Sequence, residues 1–560
     1  MSGSVEIDSV KKKAVAAPHS LRRSLSATRE LSIVLVLAAL FVLGFGLRLS
    51  GISTIGFAED EINKLEAVRS YEQGDITPNA EHPMLMKAMM FVSMRAQHWL
   101  NRATASHISD EAALRFPNIL FGALTLVPLF LLTNAFFDRR TALTASALWT
   151  FGINAITYNR IAKEDTLLVF FMLFAFYFFL RAKQTSGFDP QGKRKFYALS
   201  GASFGLMMAS KYFPHYFGLN MLYYYLYRIR ERAPGEPRGR TPPLFYILAV
   251  VAFLIANPAV LLPQTWTYLN AYASEQLLTH TGYLMGTTLY RNNVSSTPFW
   301  GTPFYFYALY LLIKLPLPIL LAFVAGLIEC VRRWREPGHG FLLMMFLLWI
   351  VPYSFFGAKW LRYTLSLMPF VYMISAVGIL ALIRWGISLF KESSRARALQ
   401  ITGAIALLFF IILPAWTAYA NRPHYAAYTN WLGGGRAGYY FPHDEFYDDG
   451  LREAIRFVCE NAPPGATIVH ETPAVARYYL EKFNRPDLQS RVLSDRSLSV
   501  DSLPRPAYVI VQPGRTYFEN REKLSEVRAE FSKVHEELVD GAVAVEVYRG
   551  QALTVALRGR

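Results

Sequence analysis

An acidic triplet, Glu59-Asp60-Glu61, follows the first strongly apolar segment of the chain, residues 31–49. Carboxylates can act as general bases or position an acceptor in a transfer reaction. By itself, an acidic triplet in a loop is more often a solvated surface or the first turn of a helix. Acids placed just beyond an apolar segment long enough to cross a bilayer nevertheless indicate a site at the membrane surface, whose substrate arrives through the lipid.

Further charged residues are predicted to lie on the same side of the membrane as this triplet. They include potential bases and cations that could bind a phosphate. They are Glu81, His82, Lys87, Arg115, Arg160, Lys163, Glu164, Asp165, Lys211, His280, Arg291, Lys359 and Arg362. The connection 158–165 is especially dense in charge, and it joins two apolar segments, so its side chains are held at a fixed depth. Lys211 and Lys359 could instead be helix-end anchors that extend to the membrane surface. His82, which precedes a proline, could equally serve a structural turn.

Lys314 interrupts the apolar run 305–321, beside Pro316 and Pro318. An ionisable group inside a membrane span is costly and usually faces a cavity or a partner. The sequence leaves two roles open for Lys314, a ligand contact or an internal ion pair.

The composition is that of a polytopic membrane protein. Of 560 residues, 53% are hydrophobic and 15% aromatic, and the mean hydropathy is positive. A bilayer core about 30 Å thick takes roughly 20 apolar residues per helix. Runs of this kind predict eleven spans, at 31–50, 114–135, 141–158, 165–181, 196–211, 213–228, 243–263, 303–328, 340–357, 362–384 and 399–420.

Lysine and arginine in the connections set the orientation, because short basic loops stay in the cytoplasm. With eleven spans, the basic residues fall in the N-terminal tail and in every second loop: Lys11, Lys12, Lys13, Arg22, Arg23 and Arg29; Arg139 and Arg140; Arg181, Lys183, Lys193, Arg194 and Lys195; Arg228, Arg230, Arg232, Arg238 and Arg240; Arg332, Arg333 and Arg335; Arg384, Lys391, Arg395 and Arg397. The short pair 196–211 and 213–228 could be two spans or one re-entrant hairpin without changing this pattern. An odd number of spans places the C-terminus outside. The net charge of +16 therefore indicates topology and anionic lipid, and not nucleic acid.

Three regions follow: a cytoplasmic basic tail (1–30), a transmembrane region (31–420) whose first outer loop (51–113) holds the acidic triplet, and a small extracytoplasmic α/β domain (421–560). Within the loop, residues 83–100 contain Lys87 and Arg95, and counting them as a span would invert every later basic loop. They predict an amphipathic helix at the outer interface.

Beyond residue 421 the pattern is that of a soluble domain. A helix is predicted at 451–458, strands at 467–469, 508–511 and 542–548, and a charged helix at 519–538. His443-Asp444-Glu445 and Asp448-Asp449 precede the first of these helices, and capping by acids that favour the helix dipole is preferred over metal binding. The two cysteines, Cys330 and Cys459, fall on opposite sides of the membrane and cannot pair.

Several short motifs occur in a fixed order: Asp60-Glu61 after the first span, Glu81-His82-Pro83-Met84-Leu85 followed by Lys87, Leu114-Arg115-Phe116-Pro117, Asn159-Arg160 with Asp165, Lys314-Leu315-Pro316, and Arg362-Tyr363. In this order and topology the chain resembles the GT-C fold glycosyltransferases of the protein O-mannosyltransferase type, with the lipid A aminoarabinose transferases as relatives. The resemblance covers roughly residues 31–420. Pro83-Met84 departs from the family's paired prolines. Tyr425 to Asn430 followed by Gly433-Gly434-Gly435 looks like a junction of bacterial members.

The resemblance implies a polyprenyl-phosphate sugar donor and a single displacement that inverts the anomeric centre. Asp60 would be the base, and Glu61 or Asp165 would orient the acceptor or the base. The departing lipid phosphate is already a stable anion and needs cations rather than a general acid. The predicted substrate-binding residues are Glu81, His82, Lys87, Arg115, Arg160, Lys163, Lys211, Lys314, Lys359 and Arg362, with Arg362 and Lys211 favoured for the phosphate because they lie at outer helix ends.

The predicted protein is thus a GT-C-like, multi-pass enzyme of the inner (plasma) membrane that acts on the extracytoplasmic face. Its acceptor could be a hydroxyl or phosphate on a protein, a lipid or another glycan. No cofactor is certain, and clustered outer carboxylates could bind a divalent metal. The alternative is a secondary transporter or lipid flippase, but such proteins place ionisable groups near the midplane, often in internal repeats. Here the charges cluster in outer loops, and only Lys314 is deep.

Overall fold

The structure, a computed structural model, describes residues 19–212, 215–237, 240–274, 281–293, 296–390 and 395–550. Lys11, Lys12, Lys13, Arg238, His280 and Lys391 lie outside the described residues. Most of the predicted basic tail therefore lies outside them as well.

Helices make up the region before residue 421. They are α1 (His19–Leu49), α2 (Glu59–Glu72), α3 (Met84–Ala103), α4 (Asp110–Leu124), α5 (Leu126–Phe136), α6 (Arg139–Phe151), α7 (Ile153–Asn159), α8 (Asp165–Gln184), α9 (Pro190–Ser210), α10 (His215–Leu226), α11 (Pro243–Ala256), α12 (Pro263–Ala273), α13 (Phe306–Lys314), α14 (Leu317–Arg332), α15 (Pro337–Phe355), α16 (Met368–Ser388), α17 (Arg395–Leu407) and α18 (Leu413–Ala420). A hairpin of β1 (Tyr283–Met285) and β2 (Thr288–Tyr290) lies between α12 and α13. Each predicted span coincides with one helix or with two consecutive ones.

Six helical stretches of the described chain are individually long and apolar enough to cross a membrane, and α11 is a shorter apolar helix. The six are Glu30–Leu49, Asp110–Phe136, Asp165–Gln184, Pro337–Phe355, Met368–Ser388 and Ala396–Ala420. The predicted class, a polytopic helical membrane protein with a small C-terminal α/β domain, is confirmed. That the chain crosses the membrane eleven times stays a prediction, as does the orientation of the crossings.

Glycines allow the membrane helices to approach closely. A Cβ atom at Gly326 of α14 would lie 1.9 Å from the Ile374 carbonyl of α16, and one at Gly378 would lie 2.0 Å from the Ala322 carbonyl. Small residues at such crossings are how helices pack in lipid, where burial of apolar surface gives little advantage. α16 is accordingly buried along most of its length.

The first outer loop contains two helices, α2 and α3. Met86, Met90 and Met94 are four residues apart and buried, whereas Val92 and Trp99 of α3 are more than half exposed. This spacing makes one face of α3 apolar and buried. The helix predicted at 83–100 is therefore present, and its position at the outer interface stays a prediction.

The C-terminal domain is a mixed five-stranded sheet flanked by helices. Its elements are α19 (Pro442–Phe446), α20 (Leu451–Asn461), β3 (Thr467–His470), α21 (Pro473–Lys482), β4 (Gln489–Val492), β5 (Ala507–Val511), α22 (Arg521–Glu530), β6 (Ser532–Val539) and β7 (Ala542–Gly550). The strand order is β4-β3-β5-β7-β6. Strands β4, β3 and β5 are parallel, and β7 pairs antiparallel with both β5 and β6.

The charged helix predicted at 519–538 is wrong in its second half. The helix ends at Glu530, and residues 532–539 form β6 at the edge of the sheet. An edge strand keeps much of its side-chain surface in water, so its charged composition resembles that of a solvated helix. Hydrogen-bonded pairing with β7 makes this segment a strand rather than a helix. Cys330 and Cys459 are both free, as expected.

Candidate active site

Asp60 lies in the first turn of α2, and 32% of its side chain is exposed. Its Oδ2 oxygen is 3.0 Å from Lys163 Nζ and 3.2 Å from a guanidinium nitrogen of Arg362. The same oxygen accepts a hydrogen bond of 2.7 Å from the Tyr447 hydroxyl. Lys163 comes from the connection between α7 and α8, Arg362 from the turn before α16, and Tyr447 from the C-terminal domain. The cluster therefore forms only where these parts meet.

Charge around Asp60 keeps its carboxylate ionised. Burial alone would raise the pKa of Asp60, but Lys163, Arg362 and the Tyr447 hydroxyl outweigh it and hold the pKa well below its ordinary value. A carboxylate with such a low pKa is a weak base. In this arrangement Asp60 is a counter-ion, and it becomes a stronger base when its cations engage another anion.

Glu61 fixes the start of α2. Its carboxylate accepts from the Ala58 amide at 3.1 Å, which is a capping-box bond, and from the Ala162 amide at 2.9 Å. Arg115 donates to both carboxylate oxygens, at 2.8 and 2.5 Å. Arg115 also donates to the Ile52, Ile55 and Gly56 carbonyls. We infer that Glu61 and Arg115 hold the loop that carries Asp60, since their polar atoms are occupied by protein.

Glu59 connects the same turn to the C-terminal domain. Arg515 lies 2.5 Å from the Glu59 carboxylate and donates to Asp448 at 2.8 Å. The Glu59 amide donates to Asp448 at 3.0 Å. Tyr447 and Asp448 have φ values of 44° and 64°, a left-handed backbone that costs energy in non-glycine residues. This strained turn directs the Tyr447 hydroxyl to Asp60.

The predicted capping role is wrong for Asp448 and Asp449, whereas Asp444 and Glu445 lie in the first turn of α19. Gly450 is the N-cap of α20. Asp448 is taken by Arg515, and Asp449 pairs with His424. Both acids serve contacts between parts of the chain that are distant in sequence.

Asp165 and Lys211 form a second ion pair beside the first. Lys211 Nζ is 2.6 Å from Asp165 Oδ1 and lies 4.7 Å from the centre of the Tyr363 ring. The Arg362 guanidinium contacts the same ring at 5.6 Å and the Trp360 ring at 5.1 Å. Aromatic faces hold cations without neutralising them. Two cations are thus kept close together and partly exposed, at 17% for Lys211 and 16% for Arg362.

A buried polar network lies behind the cluster. Lys64 Nζ is 2.7 Å from Glu164, and both side chains are 1% exposed. The other Glu164 oxygen is 3.6 Å from His82. Burial would raise the pKa of Glu164, but His82, Lys64 and Lys163 hold it well below its usual range. Burial, partly opposed by Glu164, keeps the pKa of His82 well below its ordinary value.

Glu81 and Lys87 extend this network into the first outer loop. Glu81 accepts from the Asn79 side-chain amide, and Lys87 donates to the Pro78 and Asn79 carbonyls at 3.2 and 2.7 Å. Burial, followed by repulsion from Lys64, lowers the pKa of Lys87 to about 7.

Arg160 lines a small cavity next to the cluster. The cavity has a volume of about 60 Å³ and is also lined by Glu61, Arg115 and Tyr447. Arg160 donates to the Gly51 carbonyl at 3.1 Å, and its guanidinium lies 4.8 Å from the centre of the Tyr425 ring. Burial lowers its pKa to about 10.

Lys314 and Lys359 do not contact Asp60. Lys314 Nζ is 2.9 Å from Glu445 and donates to two carbonyls and the Thr429 hydroxyl. The structure thus places Lys314 in an internal ion pair, one of the two roles that the sequence leaves open. Lys359 donates to the Thr302 carbonyl and hydroxyl and to the Phe356 carbonyl, at 2.8, 3.1 and 2.6 Å. All of its protons have protein partners.

Sequence reasoning missed Lys64 and Tyr447, and it did not select Glu164 as a site residue. Lys64 follows Asp60 by four residues, so helical spacing could have pointed to it. For Tyr447 the sequence carries no local signal, because it lies 387 residues from Asp60. Among the described residues, no three His, Cys, Asp or Glu side chains form a group that could hold a metal ion. The divalent metal stays a prediction.

Comparisons with known proteins place this geometry in context. Residues 98–262 match the family model described as dolichyl-phosphate-mannose-protein mannosyltransferase. No curated protein matches the chain in sequence. The oligosaccharyltransferase of Archaeoglobus fulgidus in the apo form is similar in structure, with a TM-score of 0.50 and 11% identity, over 86% of this chain and 69% of that one. ArnT from Cupriavidus metallidurans in the apo state has a TM-score of 0.49 and 15% identity, over 94% of this chain and 98% of that one.

Proposed function

From the GT-C glycosyltransferase fold of this chain, we propose that the protein moves a sugar from a polyprenyl-phosphate donor to an acceptor hydroxyl or phosphate on the extracytoplasmic face of the membrane. The observation that carries the proposal is the Asp60 carboxylate, partly exposed and held between Lys163 and Arg362. The family-model match over residues 98–262 supports a lipid-phosphate sugar as donor.

The reaction needs a base for the proton of the acceptor and cations for the leaving phosphate. The acceptor oxygen would form a bond to the anomeric carbon as its proton passes to Asp60, while the bond between that carbon and the phosphate oxygen breaks. The lipid phosphate leaves as an anion, which cations stabilise without donating a proton. A single displacement of this kind inverts the anomeric centre.

Donor binding would itself strengthen the base. Lys163 and Arg362 are the groups that depress the pKa of Asp60, and a phosphate is a competing anion for both. When the phosphate shares these cations, the pKa of Asp60 rises toward the value that suits proton transfer. The carboxylate would then act as a base only when the donor is in place.

Lys211 could bind the phosphate together with Arg362, because both cations lie against the Tyr363 ring. Asp165 would orient Lys211 rather than touch the acceptor, because Asp165 and Lys211 are 2.6 Å apart.

The predicted divalent metal would be tested by assaying turnover with and without a chelator.

The function is tested with Asp60→Asn, which keeps the size of the side chain and removes the base. Turnover of a synthetic polyprenyl-phosphate sugar by the purified protein should fall by about 10² or more, the scale of general-base loss, while donor binding persists. Mass spectrometry of glycans and lipid-linked sugars, from cells lacking the protein and from cells complemented with either form, should identify the acceptor.

Asp75→Asn is the matched control, since Asp75 is an exposed acid of the same loop whose side chain accepts from the Thr77 amide and hydroxyl. It should leave turnover unchanged. Near-normal transfer by Asp60→Asn would refute Asp60 as the base. An unchanged glycan and lipid profile in cells lacking the protein would refute the function.

A further inference from the structure

A second charged cavity lies at the opposite ends of the helices that carry Asp165 and Lys211. It has a volume of about 500 Å³ and is lined by Lys183 near the end of α8, Lys193 near the start of α9, and Arg230 and Arg232 after α10. Asp165 begins α8, and Lys211 follows the last residue of α9. The predicted topology places this cavity on the cytoplasmic side.

The cavity holds more positive charge than its acids neutralise. Two acids, Glu231 and Glu236, line it, against the five cations Lys183, Lys193, Arg228, Arg230 and Arg232. The Glu236 side chain is 2% exposed and is occupied by Arg230 and by the Gly187 and Ala233 amides. Among the described residues, Lys183, Lys193 and Arg232 have no carboxylate within ion-pair distance. Burial, and then the like charge of Arg230, lower the pKa of Lys193. Cations that outnumber the acids around a cavity are typical of an anion site.

Exposed apolar side chains lie next in sequence to residues that line the cavity or bind one of its acids. Tyr224 and Tyr227 line it, and the residues between them, Tyr225 and Leu226, are 87% and 61% exposed. Phe188, next to the Gly187 amide that binds Glu236, is 62% exposed. Exposed aromatic and aliphatic groups beside a charged pocket fit a molecule with an anionic head and hydrocarbon chains.

We propose that this cavity binds the phosphate headgroup of an anionic membrane phospholipid. Lys183, Lys193 and Arg232 contact the phosphate, and the chains lie against the apolar surface around Tyr225 and Leu226. The lipid ties the ends of α8 and α9 together and to the segment after α10. Because α8 and α9 carry Asp165 and Lys211 at their other ends, the lipid supports the geometry of the candidate active site without touching it.

The test compares two double variants of the full-length protein in detergent, stripped of lipid and titrated with phosphatidylglycerol, phosphatidylcholine or inorganic phosphate. Lys193→Gln with Arg232→Gln removes one lysine and one arginine from the cavity. Lys195→Gln with Arg240→Gln removes the same charges from exposed positions that do not line it. Native mass spectrometry gives the affinity for each ligand, and the unfolding temperature without lipid checks that each variant folds.

Phosphatidylglycerol should bind the cavity variant roughly 30-fold more weakly than the unaltered protein, because each cation near an anionic lipid contributes about a factor of five. The control variant should keep the affinity of the unaltered protein. If the cavity variant does not fold, Lys193→Gln alone should weaken binding by about a factor of five.

Equal weakening in the control variant would show a general effect of surface charge and overturn the site. Equal affinity for phosphatidylcholine would also overturn it. Inorganic phosphate binding as tightly as phosphatidylglycerol would assign the cavity to a soluble phosphate compound and overturn the lipid as its ligand.

Discussion

The Asp60 carboxylate contacts two cations and one phenol hydroxyl. This excess of positive charge explains how the basicity of the carboxylate can be controlled. Lys163 comes from the charge-dense connection 158–165, Arg362 from the turn before α16, and Tyr447 from a different domain. The sequence predicts Asp60, Lys163 and Arg362 as site residues because their types and their place beside apolar runs are visible in it. It does not predict which of them touch, since ion pairing across long stretches of chain is decided by tertiary structure.

Replacement of Arg362 by lysine should separate phosphate binding from simple anchoring. A guanidinium can bind a phosphate through two parallel hydrogen bonds, whereas an ammonium is a point charge. We expect Arg362→Lys to weaken donor binding and to lower turnover by about tenfold or more, the effect of losing one charge-assisted hydrogen bond. Donor affinity is measured by titration and turnover by transfer of labelled sugar.

Arg436→Lys is the control for this substitution, because Arg436 is exposed and stacks near Tyr439 without an acidic partner in the described structure. It should have no effect. If Arg362→Lys also leaves affinity and turnover unchanged, Arg362 is a structural anchor, and the phosphate role passes to Lys211 or Lys163.

The pH profile of turnover should reveal the charge around Asp60. Its pKa lies well below the ordinary carboxylate value because of Lys163 and Arg362, so kcat/KM at low donor should stay constant as the pH falls through the usual carboxylate range. Lys163→Met removes one cation and raises the pKa of Asp60. The carboxylate then protonates at a higher pH, and the acid limb of the profile moves upward.

Lys482→Met provides a comparison, since Lys482 is 41% exposed and pairs with Glu111, away from Asp60. Its profile should coincide with that of the unaltered protein. An acid limb in the same place for Lys163→Met would show that Lys163 does not set the charge state of Asp60.

At the scale of elements, apolar runs predict the membrane helices well because a span must satisfy its own backbone hydrogen bonds in lipid. They do not show where helices break. The run containing Lys314 is interrupted between α13 and α14, and Asn430 donates there to the Leu312 and Leu315 carbonyls. The segment after α18 thus provides hydrogen-bond donors for carbonyls at the end of α13. In the sequence, this helix end is visible only as two prolines and a lysine.

The Lys314–Glu445 pair should hold this junction. Their side chains are 5% and 0% exposed, and removing one partner leaves the other buried and unpaired. We expect Lys314→Met to destabilise the protein by about 3–5 kcal/mol. Combining it with Glu445→Gln should recover part of that loss, because no unpaired charge remains. The unfolding temperature of the purified protein measures both effects.

Lys533→Met serves as the comparison, because Lys533 and its partner Glu536 are 45% and 41% exposed. Exposed pairs contribute little, so the unfolding temperature should not move. Strictly additive effects of Lys314→Met and Glu445→Gln would show that the pair is not coupled and that the junction is held by other contacts.

At the scale of the whole molecule, the first outer loop and the C-terminal domain form one continuous assembly. Tyr479 of α21 accepts from the Phe57 amide at 2.7 Å and donates to Glu111 at 3.0 Å. Together with the Asp60–Tyr447 and Glu59–Arg515 contacts, this packing requires the loop and the domain to lie on the same side of the membrane. The positive-inside rule reaches the same conclusion from unrelated residues, the lysines and arginines of every second loop.

Reporter tags test the topology that follows from both arguments. Tags at Arg194 and Arg232 should report the cytoplasm, and tags at Asp75 and after residue 560 should report the opposite side, in a protease-accessibility or labelling assay. An even number of crossings must separate Asp75 from the C-terminal domain, because the two regions are held together by direct contacts. A cytoplasmic C-terminus with Asp75 outside would contradict both the eleven-span arrangement and the docking of Tyr447 on Asp60. If Asp75 and the C-terminus both faced the cytoplasm, the docking would stand and the orientation inferred from the basic loops would be wrong.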